Sequence, residues 1–319
     1  MDTLHGERQP NALPMLDIAG FWRRLNAFVV DCFMLGIVGL VIGSILFDPL
    51  AHMGSYARLI GFAIALAYFG ICNSRIGNGQ TLAKRWFGIR VVDAQSQCLS
   101  LPRSLLRYAV LGIPYFVNGL PVSPDLSMSL TYVVLVSLIV FGAGLSIIYL
   151  YIFNRRTRQS LHDLVVGSYV VRVQPDEGVA SFPVLWGGHW VAVSLLVVLA
   201  IAAPFVGRQL SHLQLFAGLT PLYQTLSVQP HVVNAQVQSG WQSVNGQAAT
   251  HYLSAQLRVD KPMTDDADYA RGMAQLMAKG DPHLADEDAV RVGLVYGYDM
   301  GIASWWTRQF YSFKSEEFR

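Results

Sequence analysis

Asp31 lies within an apolar run of the chain, and Arg24 stands seven positions before it, just ahead of that run. At about 3.6 residues per turn, that spacing puts both on one helix face, roughly 10 Å apart. An ionisable side chain at membrane depth is costly, so it faces a bundle interior and finds a partner. For Asp31 the candidates are Arg24 through a bridging group, or Arg85, Arg90 or Arg107. Asp163, preceded by His162, follows the longest apolar run and can join the same cluster. Two chemistries remain open for Arg24, Asp31, His162 and Asp163. They can form a cation or proton site in which Asp31 changes protonation or coordinates an ion. They can equally form a buried ion-pair network that locks helix ends together without transporting anything.

A second group lies in residues 79–93. Lys84, Arg85 and Arg90 alternate there with Trp86, Phe87, Ile89 and Val91. This pattern suits an amphipathic element whose apolar side dips into a membrane interface. Its cations, with Arg107 nearby, would meet anionic headgroups. Ile89–Val92 reads as a short strand, paired with Leu99–Leu101 or with Ser168–Val173. Gly77 and Gly79 precede Lys84 but make no GxxxxGK[ST] pattern, which argues against nucleotide binding.

Other chemistries find no support. None of the eight histidines sits four residues from another beside a carboxylate, and the three cysteines have no zinc spacing. No serine has a nucleophile-elbow context and no carboxylate pair suggests acid–base work. The expectation is a non-enzyme with no cofactor and no metal. Outside the juxtamembrane loops there is no basic stripe, so nucleic acid is not expected either.

The elements that position these residues follow from composition. Charged residues are 14% of the 319 and hydrophobic residues 53%, against about 25% charged in an ordinary soluble domain. Mean hydropathy is +0.37. Residues 1–207 carry a net +4 and residues 208–319 a net −2, which suggests two compartments. A spanning helix needs about 20 mostly apolar residues. Residues 26–47, 56–74 and 128–153 qualify, as does the apolar run within 176–207. Residues 108–124 are shorter and are interrupted by Pro114, Gly119 and Pro121.

Loop charge supplies an orientation. Arg8, Arg23 and Arg24 precede the first run. Arg75, Lys84, Arg85, Arg90, Arg103 and Arg107 follow the second, and Arg155, Arg156, Arg158 and Arg172 follow the long one. The intervening segments 48–57 and 118–128 have neither Lys nor Arg. Cytoplasmic loops collect Lys and Arg, and all three basic segments share a side only if 108–124 crosses. Five spans then leave a cytoplasmic N-terminal tail (1–19), a four-helix domain (20–175), a linker with a fifth helix (176–207) and an outer domain (208–319).

Four blocks resemble the RDD family of bacterial membrane proteins, named for an arginine and two aspartates. The first is Arg24-Leu25-Asn26-Ala27-Phe28-Val29-Val30-Asp31. The second runs Gly79-Gln80-Thr81-Leu82-Ala83-Lys84-Arg85-Trp86-Phe87-Gly88-Ile89-Arg90-Val91-Val92-Asp93, with Ala83 where the family usually has glycine. The third is Arg103-Ser104-Leu105-Leu106-Arg107-Tyr108, and the fourth is Arg158-Gln159-Ser160-Leu161-His162-Asp163-Leu164-Val165-Val166-Gly167. The resemblance covers about residues 19–173. It implies a bacterial inner-membrane protein and, through members associated with sodium/proton exchange, a small cation/proton transporter using Asp31. The alternative is a non-transporting envelope scaffold or sensor. A homo-oligomer would supply walls that one small chain lacks.

The region after 208 lies outside the resemblance. Residues 208–226 read as a helix or stalk. Val232–Val237 and His251–Val259 then alternate with period two, and Asn245-Gly246 signals a hairpin between them. Thr264 opens a helix with Asp265, Asp266 and Asp268 in its first turn, and Lys279-Gly280 closes it. Val290 to Tyr298 alternates again, and Ile302–Phe313 supplies an aromatic strand. Asp286-Glu287-Asp288 reads as a solvated turn. The whole is therefore expected to be an all-α membrane bundle with a small ββαββ-type α+β domain. Residues 220–319 would offer a surface to an envelope partner.

Overall fold

The computed structural model describes residues 17–123, 126, 129–173, 183–210, 219–243, 250–280 and 288–318. It contains two compact units. One is built from Met1–Met34, Ile64–Pro114 and Phe141–Val197, the other from Leu35–Ala63, Tyr115–Val140 and Val198–Arg319. Arg8, the Asn245-Gly246 turn, Asp286 and Glu287 lie outside the described residues.

Among the described residues, four helical runs are long and apolar enough to cross a membrane: Phe21–Ile45, Phe47–Cys72, Leu130–Phe153 and Gly188–Gln209. The first is α1 (Phe21–Ile45), which begins five residues before the expected 26 and so carries Arg24 inside the helix. The second joins α2 (Phe47–Met53) through a 3-10 turn to α3 (Ala57–Cys72). The segment expected as the loop 48–57 is thus helical. The third, α6 (Leu130–Phe153), contains a π-helical stretch at Leu138–Ala143. The fourth is α8 (Gly188–Leu210), with Pro204 inside it. The stretch 108–124 is divided differently from the expectation. Helix α5 (Leu101–Val117) starts at the basic block and is 17 residues long with Pro114 inside, short of the length and composition of the other four.

In the first unit a small cap joins the helix ends. α4 (Leu82–Trp86) leads into β1 (Ile89–Asp93), which pairs antiparallel with β2 (Ser168–Arg172). Of the two partners open to the 89–92 strand, 168–173 is therefore the one used. Ile18 bridges Val171, and α7 (Leu161–Val166) precedes β2. Ala19, Ala27, Ala83, Ile89, Val91, Leu99, Val166 and Val170 pack into one apolar core. Ile89 and Val91 therefore face protein and not a membrane interface. Trp86 remains 82% exposed.

In the second unit, β3 (Val232–Gln242), β4 (Thr250–Val259), β5 (Ala289–Asp299) and β6 (Ser304–Lys314) form one sheet in the order β3-β4-β5-β6. β4 and β5 run parallel because α10 (Ala267–Gly280) crosses between them. This is the expected ββαββ order. The helix starts three residues later than Thr264, because Asp266 takes the cap position: its carboxylate accepts from Tyr269 N at 2.8 Å. Leu222 and Leu226 of α9 (Leu219–Ser227) join Met273 and Met277 of α10 in the core on one sheet face. Ala51 of α2 belongs to the same core, so residues 47–53 are part of this unit.

The turn between β5 and β6 packs against glycines of α1 and α3. A methyl group on Gly39 would meet Ala303 Cβ at 2.8 Å, and one on Gly61 would meet the Met300 carbonyl oxygen at 1.8 Å. Gly43 likewise leaves room for the Tyr298 hydroxyl. The turn closes its own polar groups. Met300 N donates to Ala303 O at 2.9 Å, Gly301 N to Asp299 Oδ1 at 2.7 Å, and Tyr115 Oη to Gly301 O at 2.8 Å. Irregular backbone is tolerated beside spanning helices only when satisfied in this way. Ser137 Oγ adds a bond from α6 to the Ala200 carbonyl of α8, at 2.6 Å. We predict that Gly61→Ala destabilises the protein by about 1–3 kcal/mol, read as a lower thermal midpoint in detergent. Gly207→Ala, whose added methyl meets nothing within 4 Å, should leave the midpoint unchanged or raised.

Candidate functional site

The site is built in the first unit from α1, α3, α4, α5, α6 and α7. Asp163 is completely buried and stands at the N-terminal turn of α7, where its Oδ2 accepts from Ser160 N at 3.2 Å. The same carboxylate takes two guanidiniums. Arg24 Nη2 reaches Oδ2 at 2.9 Å, and Arg107 reaches Oδ1 through Nε at 2.9 Å and Nη2 at 2.6 Å. Ser168 Oγ donates to Oδ1 at 3.0 Å. Arg24 also donates to the Arg158 carbonyl, where Arg158 holds a left-handed backbone with φ 53°. Burial disfavours the charged carboxylate, but Arg107 and Arg24 outweigh it and hold Asp163 well below the usual carboxylate range.

Asp31 is also completely buried, yet does not contact Arg24. Its Oδ1 accepts from Tyr68 Oη at 2.6 Å and from Ala83 N at 3.2 Å, and its Oδ2 from Thr81 Oγ1 at 2.5 Å. Asp31 therefore fastens the start of α4 to α1. Ala83 supplies one of these donors through its backbone.

The two basic groups nearest this junction differ. Arg85 is exposed, whereas Lys84 turns inward and donates from Nζ to Asn73 Oδ1. Burial, reinforced by Arg107, pushes the Lys84 ammonium down to about 7, with Asp31 and Asp163 opposing. Arg90 is half-buried on β1, and Arg107 is buried. His162 is buried, and its Nδ1 has no hydrogen-bond partner. Burial lowers its pKa from 6.5 to about 3.

These groups border a cavity of ≈ 400 Å³. Arg24, Asn73, Lys84, Arg107 and His162 supply its polar lining. Its walls are apolar and aromatic, including Phe28, Phe69, Tyr108, Leu111 and Tyr151. Phe69 stacks on Tyr108 with ring centres 4.7 Å apart, and Arg24 lies 5.3 Å from the centre of the Tyr151 ring. Among the described residues no group of three metal-binding side chains occurs.

The structure thus brings Arg24, Arg107, His162 and Asp163 together and places Asp31 on a separate network. Sequence reasoning missed Asn73, Thr81 and Tyr68. Thr81 had a usable signal, since it precedes the α4 run as an N-cap residue and accepts from Lys84 N.

Asp163→Asn should leave two buried guanidiniums without their anion and cost about 3–5 kcal/mol, measured by thermal unfolding in detergent. The pH dependence has a defined sign. His162 stays neutral when folded while the unfolded chain protonates near 6.5, so stability falls as pH drops from 6.5. Asp163 stays ionised when folded, so its contribution is present above the ordinary 3.8 and is lost as pH falls below it. His162→Gln should remove the loss between pH 6.5 and about 4.5 and keep the loss below.

Comparison with known proteins covers the stretch of chain that holds these residues. The chain is 29% identical over 161 residues to "Uncharacterized protein YckC" of Bacillus subtilis (strain 168), a match that covers 50% of this chain and 87% of that protein. The family model described as RDD family matches residues 18–167, which include Arg24, Asp31, Arg107 and Asp163 and end one residue before β2.

Proposed function

We propose that the membrane part of this chain binds an amphipathic anion, with its acidic head at the polar end of the cavity and its apolar chain along the wall. One observation carries this reading. Among the described residues, every charged side chain lining the cavity is a cation: Arg24, Lys84 and Arg107. Asp163 compensates part of that charge from behind the lining, and a free cation would be repelled. The reading is of a carrier or receptor in the cytoplasmic membrane, not a catalyst. Its basic segments would face the cytoplasm through five crossings, with the C-terminal domain outside.

Full-length protein in phosphatidylcholine nanodiscs, titrated with dodecyl phosphate and with dodecyltrimethylammonium, tests the reading. The phosphate should bind in preference. Its affinity should rise as pH falls through about 7, where Lys84 becomes charged. Lys84→Gln should weaken binding about tenfold and flatten the pH profile. Equal binding of the ammonium would remove the proposal.

A second reading, cation/proton exchange at Asp31, is favoured by one feature. The three donors that contact this buried carboxylate are all neutral. On this reading Asp31→Asn abolishes pH-driven sodium or lithium flux in vesicles while the protein still inserts, and normal flux in that variant sinks it. A homo-oligomer would then complete the pathway.

A further inference from the structure

The sheet of the second unit has one face covered by α9 and α10 and one face with different chemistry. Register places Asn234 opposite Arg258, Arg258 beside Val295, and Val295 opposite Arg308, a single row across all four strands. In the next row Gln236 faces Gln256. Together with Ser55, Gly119, Leu120 and Trp306, these residues line a cleft of ≈ 380 Å³ with no carboxylate in its lining among the described residues.

The polar groups in this cleft are left over from folding. Asn234, Gln236, Gln256 and Arg308 are not buried, and among the described residues their side chains make no hydrogen bond or ion pair. Arg258 is held rigidly. Nη1 donates to Ser55 Oγ at 2.5 Å, and its guanidinium carbon lies 4.4 Å from the centre of the Trp306 ring. Its Nε and Nη2 lie against Gly54 and have no acceptor. Burial pushes Arg258 down to about 10 with only Asp299 opposing, so the cleft floor carries charge that the protein leaves short of an anion.

Three side-chain amides in one patch offer donors and acceptors side by side, as a polyhydroxyl ligand requires. Two guanidiniums and no carboxylate select an acidic one. The volume suits one or two sugar rings, near the lower end for small-molecule sites. We propose that this cleft binds an acidic saccharide, its carboxylate or phosphate taken by Arg308 over the fixed charge of Arg258 and its hydroxyls by Asn234, Gln236 and Gln256. The proposal rests on the second unit alone and is independent of the membrane cavity.

Calorimetric titration of the full-length protein in detergent tests it, with glucuronic acid, glucose 6-phosphate, glucose and inorganic phosphate as probes. The two acidic sugars should bind about tenfold or more tightly than glucose, and glucose 6-phosphate more tightly than phosphate alone. Arg308→Gln, at an exposed position, should erase the preference for acid, and Gln236→Ala should weaken all three sugars but not phosphate. The proposal is overturned if neither acidic sugar binds saturably, if glucose binds as well as they do, or if Arg308→Gln changes nothing. Phosphate binding as tightly as glucose 6-phosphate would overturn the saccharide assignment.

Discussion

A buried carboxylate must be neutralised, and in this chain Asp163 is neutralised by two arginines from two other helices. Removing a carboxylate and two guanidiniums from water is costly, and only close, well-directed contacts offset that cost. The requirement sets the positions of Arg24 on α1 and Arg107 on α5 relative to the start of α7. It also sets the following strand, because Ser168 of β2 donates to the same carboxylate. The loop before α7 is shaped around this centre: Asn154 donates to Thr157 Oγ1 and to the Gln159 carbonyl, and Gln159 donates to the Ser168 carbonyl. A closed polar network of this kind tolerates little displacement, since any broken member leaves a buried group without a partner.

The second aspartate solves the same problem with different means. Among the described residues, Asp31 is met by two hydroxyls and a backbone amide and no cation. Arg24 and Arg107, tied to Asp163, and Lys84, tied to Asn73, are then left along one cavity. This division of labour is what gives the cavity a cationic lining, and it is the physical basis for preferring an anion there to a cation.

The second unit shows how a membrane helix can be shaped for a soluble-type partner. Gly36, Gly39 and Gly43 lie on one face of α1 at helical spacing; the β5–β6 turn occupies the room left by the first two and Tyr298 of β5 the room left by Gly43. Small residues allow backbone to approach backbone where there is little hydrophobic driving force between elements. The cost is that any side chain on Gly61 collides with the Met300 carbonyl, so the turn and the helix are mutually restrictive.

Much of the architecture was legible in local pattern. Apolar runs of the right length, charge in the intervening segments, period-two alternation around 251–259 and 290–298, and the Lys279-Gly280 stop are properties of neighbouring residues. They yielded four of the helices and the strand-strand-helix-strand-strand order. Arg24, Asp31, His162 and Asp163 stood out because charge within or beside an apolar run is expensive wherever it ends up. Pairing was not legible. Arg24 and Asp31 share a helix face, yet Arg24 goes to a residue 139 positions away, and Lys84 looked like a headgroup cation but turns inward. Residues 48–57 read as a loop because they lie between two apolar runs, whereas part of them is a helix that packs Ala51 into the core beneath β5. The sequence by itself determined which residues must be buried, buttressed or exposed, because those costs are local. Only the tertiary structure decided who satisfies whom, because a buried charge is indifferent to sequence distance and answers to whichever partner the fold brings within about 3 Å.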